Sequence, residues 1–167
     1  MNDVTHELRF EGLDELLGTV EDEMTSGIVT LEPDMRTSDA VAVLRRRGIG
    51  GAPVVEGRRV IGVATVSDLS ALMPKAQSTG PFLRPQRGRP DWCVRDVMSE
   101  TAVVAVPDEP LARAIVRMDD ARVDRLPVVD ASGRPVGIVS RDDVLRAVAK
   151  AARRQRPDEV RPLMLPD

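Results

Sequence analysis

A chain of 167 residues with 42% apolar and 31% charged residues is long enough for one domain, or two small ones, around a true core. A net charge of -3 offers no basic excess for nucleic-acid phosphates, and 2% aromatic residues leave almost no base-stacking platform. No apolar run approaches the ~20 residues of a membrane span, no basic-then-apolar leader follows Met1-Asn2-Asp3, and the single Cys93 points to a reducing, cytoplasmic setting.

Residues 1–19 read as an N-terminal extension, in which Leu13, Leu16 and Leu17 suggest a short amphipathic helix serving as a packing or dimer arm. A first unit spans residues 20–72. Ile28-Val29-Thr30-Leu31 reads as a short strand. Ala40, Val41, Val43 and Leu44 follow helical spacing, and Gly48 is placed to end that helix. Ala52-Pro53-Val54-Val55 and Val60–Thr65 flank a polar, glycine-bearing turn, the signature of a hairpin. A short helix then begins near Ser67 and stops at Pro74.

Residues 73–93 hold Pro74, Pro81, Pro85 and Pro90 with Gly80 and Gly88, and read as a linker. Lys75, Arg84, Arg87 and Arg89 make it locally basic, either as a solvated tether or as a flap near an anionic ligand. A second unit covers residues 94–152. Ala102–Val106 is its strand. Asp108 can cap a helix with Pro110 in the first turn and Leu111, Ala114, Ile115 and Met118 on the apolar face. Val128-Val129 and Val136–Ser140 form its hairpin. The last helix carries Val144, Leu145 and Val148 and exposes Lys150, Arg153 and Arg154 near its C-terminus, where the helix dipole favours cations. Residues 153–167 form a tail.

The two units are copies. Met24-Thr25 matches Met98-Ser99, Pro33-Asp34 matches Pro107-Asp108, and Pro53-Val54-Val55 matches Pro127-Val128-Val129, all 74 residues apart. Ile61-Gly62-Val63-Ala64-Thr65-Val66-Ser67-Asp68-Leu69 returns 75 residues later as Val136-Gly137-Ile138-Val139-Ser140-Arg141-Asp142-Asp143-Val144. The extra residue falls in the turn, where Glu56-Gly57-Arg58-Arg59 stands against Asp130-Ala131-Ser132-Gly133-Arg134, so the flanking strands are undisturbed.

The duplicated hydroxyl-x-x-carboxylate carries the chemistry. An ionised carboxylate has two acceptor oxygens, and Asp68 and Asp143 suit the adjacent hydroxyls of a ribose. Thr65 and Ser140 sit where strand becomes helix, where a hydroxyl and free backbone N–H groups can hold phosphate oxygens. The plainer reading makes the aspartates helix-start carboxylates and the hydroxyls caps. No catalytic constellation accompanies them: His6 is the only histidine, and no HExxH, CxxC or P-loop occurs, so an enzyme is not expected.

A strand–helix–strand–strand–helix unit present twice, with Leu126-Pro127-Val128-Val129-Asp130 and then Gly137-Ile138-Val139-Ser140-Arg141-Asp142-Asp143, resembles the cystathionine β-synthase (CBS) domain pair over about residues 20 to 150. The resemblance implies an α/β (α+β) fold of two β-α-β-β-α repeats packed through their sheets about a pseudo-two-fold axis. It also implies a regulatory module that binds adenosine nucleotides or related adenosyl compounds (AMP, ADP, ATP, NAD, S-adenosylmethionine) in two clefts, with no required cofactor and no metal. The chain is too short for an attached enzyme, so a stand-alone homodimeric pair acting on an unknown protein partner is expected, without nucleic acid or membrane. By the resemblance, a first cleft joins Val63, Thr65, Ser67 and Asp68 to Ala102, Val103, Val123, Asp124 and Arg125. A second joins Ile138, Ser140, Arg141 and Asp143 to Ile28, Val29, Ile49 and Gly50. Arg125 and Arg141 would each face phosphate, in different clefts. Asp124 and Asp142 oppose phosphate unless paired, and Gly50-Gly51 removes side chains from one wall. The first cleft ranks slightly ahead. The competing reading is a ligand-independent interaction or assembly module.

Overall fold

Each hairpin forms where two apolar runs meet at a glycine turn. The computed structural model describes residues 11–71, 92–100 and 103–155. Strand β2 (Gly51–Glu56) pairs antiparallel with β3 (Arg59–Thr65) around Gly57, whose φ of 63° is the left-handed value that glycine adopts without penalty. Strand β4 (Arg125–Val129) pairs likewise with β5 (Pro135–Ser140). The register shifts between Val54 and Val55 in one hairpin and between Val128 and Val129 in the other, the equivalent step of each repeat. Helix α3 (Thr37–Arg47) ends on Gly48 at φ 64°, as its position predicts. Helix α5 (Leu111–Ala121) has Pro110 as its N-cap, so Asp108 lies in the preceding turn rather than capping it.

Among the described residues, the expected first strands Ile28–Leu31 and Ala102–Val106 are represented by single parallel bridges, Leu31 to Val54 and Ala105 to Val128. Leu31 donates its N–H to the Pro53 carbonyl and accepts from Val55 N–H, both at 2.9 Å; Ala105 does the same with Pro127 and Val129. The next bond of a parallel ladder would need a proline N–H, which neither Pro53 nor Pro127 possesses, and pairing stops there. Val29 and Val103 are thereby released from the sheets.

The repeats also exchange their leading segments. Val20 and Glu21, in α2 (Val20–Glu23), donate backbone N–H groups to Glu109 and Pro107 of the second repeat at 3.0 and 2.9 Å. Val94 and Arg95, in a short 3-10 turn (Val94–Asp96), donate to Met35 and Pro33 of the first at 2.9 and 3.0 Å. Beyond them, β1 (Thr25–Ser26) pairs with Ile138 and Gly137 of β5, and Ser99 bridges Val63 of β3. Val20 is therefore buried in the core with Leu111, Leu126 and Val139, whereas Val94 is buried with Leu31, Leu44 and Leu69. Each such valine contributes roughly 1.5–3 kcal/mol on burial.

The repeated glycine of the motif serves this exchange. A Cβ on Gly62 would sit 2.3 Å from the Ser99 carbonyl oxygen, and one on Gly137 would sit 2.6 Å from Met24 Sδ and 3.1 Å from the Thr25 carbonyl oxygen. Helix α1 (Glu11–Leu17) packs on the second repeat, where Leu17 enters the core with Leu16 against it, so this part of the extension is a packing element of the chain's own fold. The residues of the expected linker between 72 and 91, and the tail beyond 155, lie outside the described residues.

Candidate ligand-binding clefts

Both hydroxyl-x-x-Asp corners fall where a core strand runs straight into a helix: β3 into α4 (Val66–Ala71) and β5 into α6 (Arg141–Gln155). At the first corner Asp68 Oδ2 accepts the Thr65 N–H at 2.9 Å and the Thr65 hydroxyl at 2.7 Å, while Asp68 N–H donates back to Thr65 Oγ1 at 3.2 Å. This is a reciprocal capping box. At the second, Asp143 Oδ2 accepts from the Ser140 N–H at 2.7 Å and from its hydroxyl at 2.6 Å.

These bonds correct the expectation that each aspartate offers both oxygens to a ribose. A carboxylate oxygen has two lone pairs, and those of Oδ2 are taken by the cap. Asp68 keeps Oδ1, which has no partner among the described residues. Asp143 is 3% exposed, and its Oδ1 already receives a hydrogen bond from Arg146, one turn further along α6.

Two cavities lie at the corners, and each draws residues from both repeats. The smaller, of about 190 Å³, brings Val63, Thr65 and Asp68 together with Val103, Val123, Asp124 and Arg125, and adds Ser99 and Arg122. Ser67 is exposed on α4 and does not line it, because the helix turns that position outward; Ala102 lies outside the described residues. The larger, of about 500 Å³, joins Ile138, Ser140 and Asp143 to Ile28, Val29, Ile49 and Gly50. The order of size is the reverse of the ranking drawn from sequence. Glycines at 48, 50 and 51 open its wall.

Arg141 is not part of the larger cavity. Its Nε pairs with Asp124 Oδ1 at 3.1 Å, and its N–H donates to the Asp124 carbonyl at 2.9 Å, so the first residue of α6 is turned towards the smaller cavity's rim. Both side chains are largely exposed, and such a pair contributes ~0–1 kcal/mol. It nevertheless offsets part of the charge of Asp124.

Three cations at the larger cavity supply what Arg141 does not: Arg47, Arg125 and Arg146, with Asp142 the opposing carboxylate beside Asp143. Arg47 and Arg146 went unnoticed in the sequence. Arg47 precedes the Gly48 cap, and the bend there carries the chain on to Ile49 at the cavity. Arg146 is one helical turn from Asp143, a spacing that could have revealed it. Arg122 takes the place of Gly48 in the second repeat, holding the same left-handed turn at φ 53° without being glycine.

Two hairpin-and-helix repeats, locked by exchanged leading segments and with a cleft at each corner, define a paired-repeat module. The family model of the CBS domain matches residues 18–75 and 94–150, and the chain belongs to the CBS domain family. Inosine-5'-monophosphate dehydrogenase of Methanocaldococcus jannaschii is 30% identical over 120 residues, covering 71% of this chain and 21% of that protein. The chain thus spans about a fifth of that relative's length. CBSX2 of Arabidopsis thaliana, solved in complex with AMP, superposes with a TM-score of 0.65 at 27% identity, covering 81% of this chain and 98% of that one. The CBS domain pair of protein MJ0100, solved with 5'-methylthioadenosine and S-adenosyl-L-methionine, gives a TM-score of 0.66 at 21% identity, covering 79% and 96%, a likeness of fold.

Proposed function

We propose that this chain is a ligand-sensing regulatory module that binds an adenosine nucleotide between its repeats, principally in the larger cleft. One observation carries this reading: a cavity of about 500 Å³ whose lining combines the apolar Ile28, Val29, Ile49 and Ile138 with Asp143 and three arginines. An adenine needs an apolar slot, a ribose needs an acceptor, and phosphates need guanidinium groups, which recognise them bidentately. A ribose hydroxyl would take the remaining lone pair of Asp143 Oδ1, beside Arg146. The AMP bound by CBSX2 has this same tripartite chemistry.

Ligand binding across the repeats would select one packing of the two hairpins, which a protein partner could read. Leu145, 68% exposed, and Val148, 46% exposed, lie one turn apart on the outer face of α6 and fit a homodimer contact. The lone Cys93 fits a reducing, cytoplasmic setting.

A thermal-shift series with AMP, ADP, ATP, NAD and S-adenosylmethionine tests the reading. At ~100 times Kd a ligand adds about 2.7 kcal/mol, which raises Tm by roughly 5–11 °C in a domain of this size. An unchanged Tm with all five would leave the assembly module as the better account, since the aspartate caps need no ligand.

A further inference from the structure

Arg125 lines both cavities, the only arginine among the described residues to do so. It is the first residue of β4, in register with Ser140 at the second corner. Its Nε is buried and has no hydrogen-bond partner among the described residues. Its Nη2 and Nη1 lie 3.0 and 3.5 Å from where a Cβ on Gly50 would stand, so the guanidinium occupies space that glycine leaves free in the other repeat. The equivalent position in the first repeat is Gly51, and no second arginine reciprocates.

We propose that Arg125 is one anion-binding side chain shared by two clefts, so that a phosphate-bearing ligand in the larger cleft weakens the binding of another in the smaller. This rests on the nucleotide reading above and adds a regulation to it. A guanidinium presents its donors as a planar fork that grips one phosphate at a time. A phosphate in the larger cleft draws the fork towards Arg47 and Arg146, and the smaller cleft is left with Arg122 and with Asp124, whose charge Arg141 only partly offsets at the surface. Linkage makes the penalty reciprocal. An uncharged adenosine makes no demand on the fork and carries no such penalty.

Methyl NMR resolves the clefts separately, because Ile28, Ile49 and Ile138 report on the larger and Val63, Val103 and Val123 on the smaller. The full chain and a Val29→Trp variant, whose indole is meant to obstruct the larger cleft beside Ile28 and Ile49, are titrated with ATP and with adenosine. The smaller-cleft methyls of the unaltered chain should need roughly tenfold more ATP for half-saturation than those of Val29→Trp. Adenosine midpoints there should agree within about twofold, and adding Arg125→Gln to both proteins should abolish the ATP difference between them. Equal ATP midpoints at the smaller cleft with and without Val29→Trp, or a smaller cleft that binds ATP in neither protein, would overturn the sharing and leave nucleotide binding at the larger cleft standing. Ligand-independent methyls at both clefts, with ATP and adenosine alike, would remove the nucleotide reading itself and the sharing with it.

Discussion

Replacing Gly62 by alanine tests the exchange of segments on which both clefts depend. Gly62 has an ordinary strand conformation, and alanine alone in a strand would gain ~0.5–1 kcal/mol over glycine. The added methyl would meet the Ser99 carbonyl oxygen at 2.3 Å and Met98 Sδ at 3.0 Å, and the first of these is backbone that no rotamer change can move. Ser99 would have to retreat, stretching the bond from its N–H to the Val63 carbonyl, now 3.0 Å. Overpacking of this kind costs ~1–3 kcal/mol and a weakened hydrogen bond ~1 kcal/mol, for a net loss of about 2 kcal/mol. Urea unfolding followed by circular dichroism measures it, and the corresponding fall in Tm is roughly 4–8 °C. Gly137→Ala should cost less, about 1 kcal/mol, because its closest neighbour is the flexible Met24 side chain and the Thr25 oxygen is 3.1 Å away. Gly12→Ala, inside α1 with nothing within 4 Å of the new methyl, is the control and should be neutral or stabilising. A Gly62→Ala protein within ~0.5 kcal/mol of the parent, well below the overpacking range, would refute the claim that Ser99 is pinned on β3.

Asp68→Ala removes a capping box and should cost ~1 kcal/mol in urea unfolding while abolishing binding at the smaller cleft. Asp143→Ala strips a buried acceptor from Ser140 and Arg146 and should cost more, ~1–3 kcal/mol; an equal or smaller loss would contradict the burial. Acid should destabilise the fold. Thr19 backbone and side-chain hydrogen bonds hold the Asp22 carboxyl below the usual carboxylate range, and those from the Ser132 hydroxyl and the Arg134 N–H do the same for Asp130. A folded-state value below the unfolded one contributes stability that is present above about pH 4 and is lost as pH falls through the folded value. Tm should therefore drop between about pH 5 and 3, and less steeply in Asp22→Asn and Asp130→Asn; unchanged slopes would discount both carboxylates. Leu145→Asp should convert a dimer to a monomer in sedimentation velocity without lowering Tm below that of the parent monomer, and a parent that sediments as a monomer at all concentrations would end the homodimer proposal.

Local features were legible along the chain because their causes are local. Gly48 closes α3 and Gly57 turns the first hairpin through left-handed φ values that few residues but glycine adopt freely. The Thr65–Asp68 and Ser140–Asp143 corners follow from a strand entering a helix with a carboxylate three residues on. The failures were equally physical. Ile28–Leu31 has strand composition, yet Pro53 lacks the N–H that would have extended its ladder, and that is a property of a partner strand two dozen residues away. The motif assigns Arg141 to the larger cleft, but position one of α6 faces Asp124.

The duplication, the two hairpins, the helix ends and the pair of hydroxyl-x-x-Asp corners are each encoded within a few residues and so stand in the residue order alone. Which repeat owns which segment depends instead on long-range packing. Val20 and Val94 stand at the head of short runs with no periodicity of their own, and each is buried in the other repeat's core by bonds to Glu109 and Met35. The clefts were settled the same way. Arg125 reaches both because Gly50, in the opposite repeat, has no side chain to stop it.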